Sequence, residues 1–168
     1  MDSNFNSFNS KSTIPIIGKA GRDEKGLFYD YFLRITLAEI NVEGTMSHDQ
    51  FARLFGKARE LFALECIPGF AASMGRAYLL QTRNASYDFL KAVHFADMII
   101  VRMRVTRVGN SSFELGGDFI NSRTNEICAT GKQVIIYTDL KGTPIDIPDT
   151  LRGILLDSLL PAHSDKEK

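Results

Sequence analysis

The stretch EINVEGTMSHDQFARLFGKARELF, residues 39–62, changes from a strand-like pattern to a helical one within a few residues. Asn41 and Gly44 fall in the intervening turn, where asparagine and glycine are typical because they tolerate unusual backbone angles. Ser47 and Gln50 have the spacing of a capping box, in which each side chain bonds the amide of the other residue. The sequence therefore predicts a strand that turns here and a helix that begins next to Ser47.

A single apolar stripe runs along the predicted helix. It is formed at helical spacing by Phe51, Leu54, Phe55, Ala58, Leu61 and Phe62. Pro68 and Gly69 end the pattern, because neither residue continues a helix well. So much apolar surface on about four turns predicts a helix that the rest of the domain encloses.

Strand-like segments flank the helix on both sides. Alternating aromatic and β-branched residues in LFYDYFLRITLAEI, residues 27–40, predict a first strand. Four further strands are predicted after the helix, at 77–89, 97–108, 112–121 and 126–140. Short polar turns join the last three strands, which indicates an antiparallel meander, and a short helix started by Asp149 or Thr150 is predicted at 149–160. An antiparallel sheet curved around one apolar helix satisfies this order most simply.

The two ends of the chain differ in composition from this central part. Residues 1–26 are rich in Asn and Ser and then in Gly and charged residues, and they show no period that would bury a face. We therefore expect a flexible N-terminal tail over 1–26, one α+β domain over 27–160 and a short flexible C-terminal tail over 161–168.

Composition excludes several classes of protein. The chain has 168 residues, of which 44% are apolar, and its 20 Lys and Arg equal its 20 Asp and Glu, so nothing favours nucleic-acid binding. No apolar run reaches the ~20 residues of a membrane span, and no secretion signal is recognisable, so a cytoplasmic protein without membrane contact is expected. Cys66 and Cys128 have no metal-like spacing and are expected to be reduced thiols in or near the core. No metal or other cofactor is predicted.

Six short motifs carry a resemblance to a known family through their order and spacing. They are NVEG (41–44), GKARELF (56–62), VRMRV (101–105), FELGGDF (113–119), ATGKQ (129–133) and IDIP (145–148). Over about 28–156 the chain resembles hot-dog-fold thioesterases of the 4-hydroxybenzoyl-CoA thioesterase-like branch, and most closely those of enediyne polyketide biosynthesis. The resemblance implies one hot-dog domain, an antiparallel sheet wrapped around a long central helix, that assembles as a homodimer or a homotetramer made of two dimers. An open edge strand also favours pairing with a second copy.

The resemblance also implies a catalytic pair. Many members of the wider family carry an aspartate where Asn41 stands and use it as nucleophile or general base. The enediyne-type relatives carry an asparagine there and an arginine on the helix, which match Asn41 and Arg59. Such a pair hydrolyses a thioester through orientation and oxyanion stabilisation, without a carboxylate base. Phe51 occupies a position usually held by tyrosine, so that hydroxyl is missing here.

The residues around this pair are the predicted substrate contacts. They are Gly44, Thr45, Phe51, Phe55 and Glu39. Amides at 45–50 lie near the helix N-terminus, where they can donate to a developing oxyanion. Glu39 is a nearby carboxylate and a minor candidate for a base. The predicted substrate is a long acyl thioester, polyketide-derived, on an acyl carrier protein of a polyketide synthase or on coenzyme A.

Other interpretations of the same residues stay open. Asn41 also suits a turn that caps its own loop, and Arg59 suits a surface arginine whose stem packs while its head reaches solvent. The basic row Arg102, Arg104 and Arg107 is either a solvated sheet face or a docking surface for coenzyme A phosphate or an acidic carrier protein. A hot-dog hydratase or dehydratase and a non-catalytic acyl-thioester-binding module are the alternative functions.

Overall fold

The computed structural model describes residues 18–161 of the chain. In chain order the elements are β1 (Gly18–Asp23), β2 (Gly26–Arg34), α1 (His48–Cys66), α2 (Phe70–Ser73), β3 (Leu79–Phe89), β4 (Met98–Val108), β5 (Ser112–Asn121), β6 (Ile127–Thr138) and α3 (Asp149–Asp157). The strands form one antiparallel sheet in the order β1-β2-β4-β5-β6-β3, and α1 packs against one face of it. This is the predicted hot-dog fold.

Helix α1 buries the apolar stripe that its sequence predicts. Phe51, Leu54, Phe55, Ala58 and Phe62 are buried, and Leu61 is partly buried at the edge of the stripe. The Phe55 side chain has no exposed surface. The ring of Phe55 lies against the backbone of two strands, because a Cβ added at Gly117 or Gly131 would come within 2.9 Å or 2.7 Å of it. Two glycines thus let the helix approach the sheet closely.

Strand β4 supplies the centre of the sheet. It pairs with β2 on one side and with β5 on the other. Its inward-facing residues Ile99, Val101, Met103 and Val105 are all buried, as the alternation predicts. The core of the domain therefore lies between β4 and its neighbours on one side and α1 on the other.

The N-terminal boundary differs from the prediction. A flexible tail was expected over 1–26, but β1 occupies Gly18–Asp23 and β2 begins at Gly26. β1 has no apolar period of its own; it is held by pairing with β2 and by Arg22, whose guanidinium lies 2.6 Å from the Asp157 carboxylate of α3. Residues 1–17 and 162–168 lie outside the described residues, so the remaining tail predictions stay predictions.

The first strand is shorter than its pattern suggests. β2 ends at Arg34 instead of reaching residue 40, and Leu37 is 74% exposed. The chain turns because the Glu39 carboxylate accepts hydrogen bonds from the amide and the hydroxyl of Thr36, at 2.8 Å and 2.7 Å. A local side-chain bond thus ends an alternation that would otherwise continue.

Helix boundaries also differ in detail. Ser47 is the N-cap of α1, but the predicted capping box is wrong, since its hydroxyl bonds the Asp49 carboxylate and makes no bond to a helix amide. The N-cap of α3 is Pro148, and a short helix, α2, follows the break at Pro68 and Gly69. Among residues 18–161, no helix is both long and apolar enough to cross a membrane.

Both cysteines are free thiols, as predicted, with Cys128 buried and Cys66 partly buried. Burial, followed by the nearby Glu65 carboxylate, raises the pKa of Cys66 to about 11. Burial also raises the pKa of Cys128. Both thiols therefore stay protonated at neutral pH, and neither has the thiolate character of a nucleophile.

Replacement of Phe55 by alanine tests how strongly the fold depends on the contact between α1 and the glycines. We expect Phe55→Ala to lower the free energy of unfolding by about 3–5 kcal/mol, because a fully enclosed ring leaves a cavity. Phe95 is 58% exposed, so Phe95→Ala is the matched control and should change stability little. Urea titrations of both variants measure the difference, and equal losses would contradict the central place given to Phe55.

The ion pair between β1 and β4 predicts a pH dependence of stability. The Arg104 guanidinium bonds both carboxylate oxygens of Asp23, at 2.8 Å and 2.6 Å, and lowers the pKa of Asp23. Because the pKa is lower in the folded state, this stabilisation is present above the unfolded pKa of about 3.9 and is lost as the pH falls below it. Asp23→Asn should therefore destabilise the protein at about pH 7 and have a smaller effect at about pH 3. Urea unfolding at the two pH values checks this, and a pH-independent difference would contradict it.

Candidate active site

Asn41 caps its own turn with its side-chain oxygen. Asn41 Oδ1 accepts hydrogen bonds from the backbone amides of Glu43 and Thr45, at 2.9 Å and 3.2 Å. The backbone amide of Asn41 donates to the Thr45 carbonyl at 2.8 Å. Since the oxygen must face these donors, the Nδ2 group is turned away from them. Among the described residues Nδ2 has no acceptor, so it remains available to donate to a substrate oxygen.

The turn is tied to the segment between β3 and β4. The Met46 amide donates to the Val93 carbonyl at 2.8 Å, and Thr45 forms an isolated bridge with His94. Gly44 has φ 78° and nothing within 4 Å of an added Cβ, so its contribution is backbone geometry at an exposed position. These contacts fix the place of Asn41 even though no regular element contains it.

A cavity of about 260 Å³ lies beside this turn, which we call the turn cavity. It is lined by Thr45, Met46, His48, Phe51, Phe89, Leu90, Lys91, Ala92 and Val93. The Phe51 ring packs between those of Phe89 and Phe119, with centroids 5.1 Å away in each case. Thr45 and Phe51, both predicted substrate contacts, therefore share one cavity, and the ring at position 51 brings no hydroxyl to it.

Arg59 is held by two neutral oxygens. Its Nη1 donates to Thr82 Oγ1 at 2.6 Å and to Gln133 Oε1 at 3.0 Å. None of the ion pairs found within residues 18–161 includes Arg59. Arg59 is half-buried and its guanidinium is oriented, but it forms no ion pair with a carboxylate of the described residues.

A second cavity, of about 240 Å³, begins at Arg59, and we call it the helix cavity. It is lined by Arg59, Glu60, Phe62, Ala63, Ile67, Phe70, Met74, Leu80, Phe113, Leu115 and Ile135. Apart from Arg59 and Glu60 these side chains are apolar, so the walls suit a hydrocarbon chain. An acyl chain in this cavity would place an oxygen next to the guanidinium of Arg59 if that oxygen lies at the polar end of the cavity.

Two predicted substrate contacts have other positions. Phe55 is fully enclosed between α1 and the sheet and lines neither cavity, so its place is in the core. The Glu39 carboxylate is committed to its two bonds with Thr36, which makes it a poor candidate for a base. Burial raises the pKa of Tyr31, and the negative charge of Glu39 raises it further.

Asn41 and Arg59 are not neighbours within one chain. Arg59 lies about three turns along α1 from the first helical residue, which is about 16 Å. Asn41 precedes the helix, in the turn whose Thr45 lines the turn cavity, whereas Arg59 lines the helix cavity. Within one chain the predicted pair therefore occupies two separate places.

The contacts of Arg59 include residues that the sequence analysis missed. Gln133 Nε2 donates to the Tyr87 hydroxyl at 2.9 Å, so Thr82, Gln133 and Tyr87 form one polar cluster around Arg59. Gln133 is 6% exposed and shares the inward face of β6 with the buried Ile135. A polar residue at an inward-facing strand position was the signal available in the sequence.

The basic row on the outer face is largely neutralised within the protein. Arg102 bonds both carboxylate oxygens of Asp30 at 2.7 Å, and Arg104 bonds those of Asp23. Both guanidinium groups also lie over the Phe28 ring, 4.4 Å and 5.0 Å from its centroid. Asp30, through its hydrogen bonds, raises the pKa of Arg102. Two of the three arginines are thus neither freely solvated nor free to bind a phosphate.

Solved structures with this architecture include three thioesterases. The Dynemicin thioesterase, whose crystal structures reveal induced-fit and allosteric effects upon polyene binding, is 22% identical with a TM-score of 0.71, covering 77% of this chain and 95% of its own. The 1,4-dihydroxy-2-naphthoyl-CoA thioesterase from Synechocystis is 16% identical with a TM-score of 0.66, covering 77% and 96%. A gentisyl-coenzyme A thioesterase is 18% identical with a TM-score of 0.65, covering 76% and 98%. At these identities the likeness shows the fold alone.

Sequence comparison adds the family. No curated protein matches the chain. The family model described as the thioesterase-like superfamily matches residues 35–155, which include α1, the strands from β3 to β6 and most of α3. Because this match covers most of the chain, the protein belongs to the thioesterase-like superfamily.

Proposed function

We propose that the protein hydrolyses a long acyl thioester and that Asn41 and Arg59 stabilise the developing negative charge. The observation that carries the proposal is the uncompensated Arg59 guanidinium at the edge of an apolar cavity. A cation held in place before reaction stabilises an oxyanion without reorganising, and an apolar wall strengthens that interaction. The same cation next to apolar walls suits an acyl group whose reacting carbon is oxygenated and whose chain is hydrocarbon.

The reaction needs no carboxylate base. Water attacks the thioester carbon, a C–O bond forms and the C–S bond breaks, while the proton of the water passes to the departing thiolate or to solvent. Asn41 Nδ2 donates to the carbonyl oxygen, since Oδ1 is already held by the turn. A thioester is an activated acyl group, so a positioned water and a stabilised oxyanion supply the rate.

We place the complete site between two copies of the chain. β3 pairs with β6 on one side only and forms one edge of the sheet, and most of its side chains are exposed. Antiparallel pairing of β3 with its twofold-related copy sets the Phe89 end of one strand opposite the Leu79 end of the other. Phe89 lines the turn cavity and Leu80 lines the helix cavity, so this pairing brings Asn41 of one protomer towards Arg59 of the other.

The finer identity of the substrate follows from the resemblance. Asn41 and Arg59 match the pair of the enediyne-type thioesterases, and the Dynemicin thioesterase shares the fold and binds a polyene. We infer that the substrate is a polyketide-derived long acyl chain carried on an acyl carrier protein, with coenzyme A as the other carrier to test. Hydrolysis rates on a set of acyl chains, each on both carriers, would identify the preferred carrier and chain.

Substitution of each member of the pair tests the proposal. Asn41→Ala and Arg59→Ala should each lower kcat by about 10²–10³-fold, the usual cost of one oxyanion donor. Asn121 caps a turn with its side-chain oxygen in the same way, so Asn121→Ala controls for the loss of a turn cap. Arg53 lies on the exposed face of the same helix, so Arg53→Ala controls for the loss of a helical arginine. Folded variants of Asn41 and Arg59 with wild-type turnover would reject the site, and thioester binding without turnover in the wild type would favour a binding module.

Mixed dimers test the composite site. If Asn41 and Arg59 come from different protomers, mixing the two inactive alanine variants creates one intact site in each heterodimer. Random exchange of subunits should then restore about a quarter of the wild-type activity. If both residues act within one chain, every site in the mixture lacks one of them and the mixture stays inactive. The readout is thioester hydrolysis after subunit exchange, with each variant alone as the baseline.

A further inference from the structure

We propose that Gln133 and Thr82 are positioning residues that aim the Arg59 guanidinium and leave its charge uncompensated, with Tyr87 fixing the orientation of the Gln133 amide. This inference rests on the proposed role of Arg59. Thr82, Gln133 and Tyr87 lie outside the predicted site, and together they hold the Arg59 cation in one place.

The Gln133 amide has only one orientation that satisfies its neighbours. Oε1 accepts from Arg59 at 3.0 Å, while Nε2 donates to the Tyr87 hydroxyl oxygen at 2.9 Å. A reversed amide would set its N–H donors against the N–H donors of the guanidinium. Gln133 is 6% exposed, so water does not readily replace a lost partner, and an unmade bond there is costly.

Thr82 reaches Arg59 from an irregular part of β3. The pairing of β3 with β6 shifts register between Thr82 and Asn84, which is the mark of a β-bulge. Bulges re-aim a side chain relative to the regular alternation of a strand. Here the Thr82 hydroxyl lies 2.6 Å from the Arg59 guanidinium, so the edge strand β3 and its neighbour β6 hold the same nitrogen of Arg59.

The neutrality of both partners is the feature that points to function. Arg102 and Arg104 are each satisfied by a carboxylate that they bond twice. Arg59 is oriented just as firmly but by a hydroxyl and an amide oxygen. Neutral acceptors fix the geometry of a cation and leave its field available to a second anionic group, such as an oxyanion at the edge of the helix cavity.

Gln133→Glu is the decisive variant because it keeps the size of the side chain and adds a carboxylate to Arg59. We expect a folded protein whose kcat falls to nearly the level of Arg59→Ala, by about 10²-fold, because the carboxylate competes with the oxyanion for the guanidinium. KM should change little, since the apolar walls that hold the chain are intact. Asn125 lies in an exposed turn, so Asn125→Asp controls for an amide-to-carboxylate change elsewhere.

The hydroxyl of Thr82 provides an independent test. Thr82→Val keeps the shape of the side chain and removes the acceptor, so we expect kcat to fall about 10-fold, which corresponds to about 1.4 kcal/mol in the barrier. Thr82→Ser restores the acceptor and should restore most of the lost rate. Thr130 faces the outer side of the sheet, so Thr130→Val is the matched control. In an Arg59→Ala background, Thr82→Val should cost nothing more.

Failure of this inference differs from failure of the proposed function. If Arg59→Ala is inactive while Gln133→Glu and Thr82→Val are folded and retain wild-type kcat, the positioning role is overturned and the proposed function stands. If Arg59→Ala is fully active, the proposed role of Arg59 falls, and the positioning is judged by nitrogen-15 NMR of the Arg59 side chain. A guanidinium signal that is sharp in the wild type and averages in the Gln133→Ala, Thr82→Val double variant supports the positioning. Identical signals in both proteins overturn it.

Discussion

The fold depends on how closely helix α1 approaches the sheet. The Phe55 ring rests on Gly117 and Gly131, where any Cβ would lie within 2.9 Å or 2.7 Å of it. Protein interiors are packed as densely as organic crystals, so moving the helix by the width of a methyl group would force the side chains on its buried face to repack. Arg59 lies one turn beyond Phe55 on α1, so its distances to Thr82 and Gln133 depend on this contact. The seating of one aromatic ring thus sets the geometry of the candidate site.

Arginines on the two faces of the sheet bond different kinds of acceptor. On the outer face, Arg102 and Arg104 are locked to Asp30 and Asp23 and stacked on Phe28, an arrangement that ties β1, β2 and β4 together. On the inner face, Arg59 is oriented without a counter-charge. The outer arrangement satisfies charge and serves stability, whereas the inner one preserves charge at the edge of a cavity. The difference lies in whether the acceptor is a carboxylate or a neutral oxygen.

Periodicity in the sequence predicted the elements that bury apolar surface. The stripe of α1 and the alternation of β4 follow from burial, and both are as expected. β1 was missed because its stability comes from partners distant in sequence, Arg22 with Asp157 and Asp23 with Arg104, which no local pattern reports. The residue pair Asn41 and Arg59 came from resemblance, and its catalytic role stays a prediction. Gln133 was missed because its meaning depends on two partners, Arg59 and Tyr87, that only the folded chain brings together.

The clamp between β1 and α3 has a consequence for engineering. Arg22 bonds the Asp157 carboxylate and the carbonyls of Asp157 and Leu160, so the first and last elements of the described domain are fastened to each other. β1 is also the sheet edge opposite β3. A circular permutant that joins these two ends by a short linker would preserve the native contacts. A fluorescent protein or affinity tag attached there would project away from β3 and leave that edge accessible to a second copy.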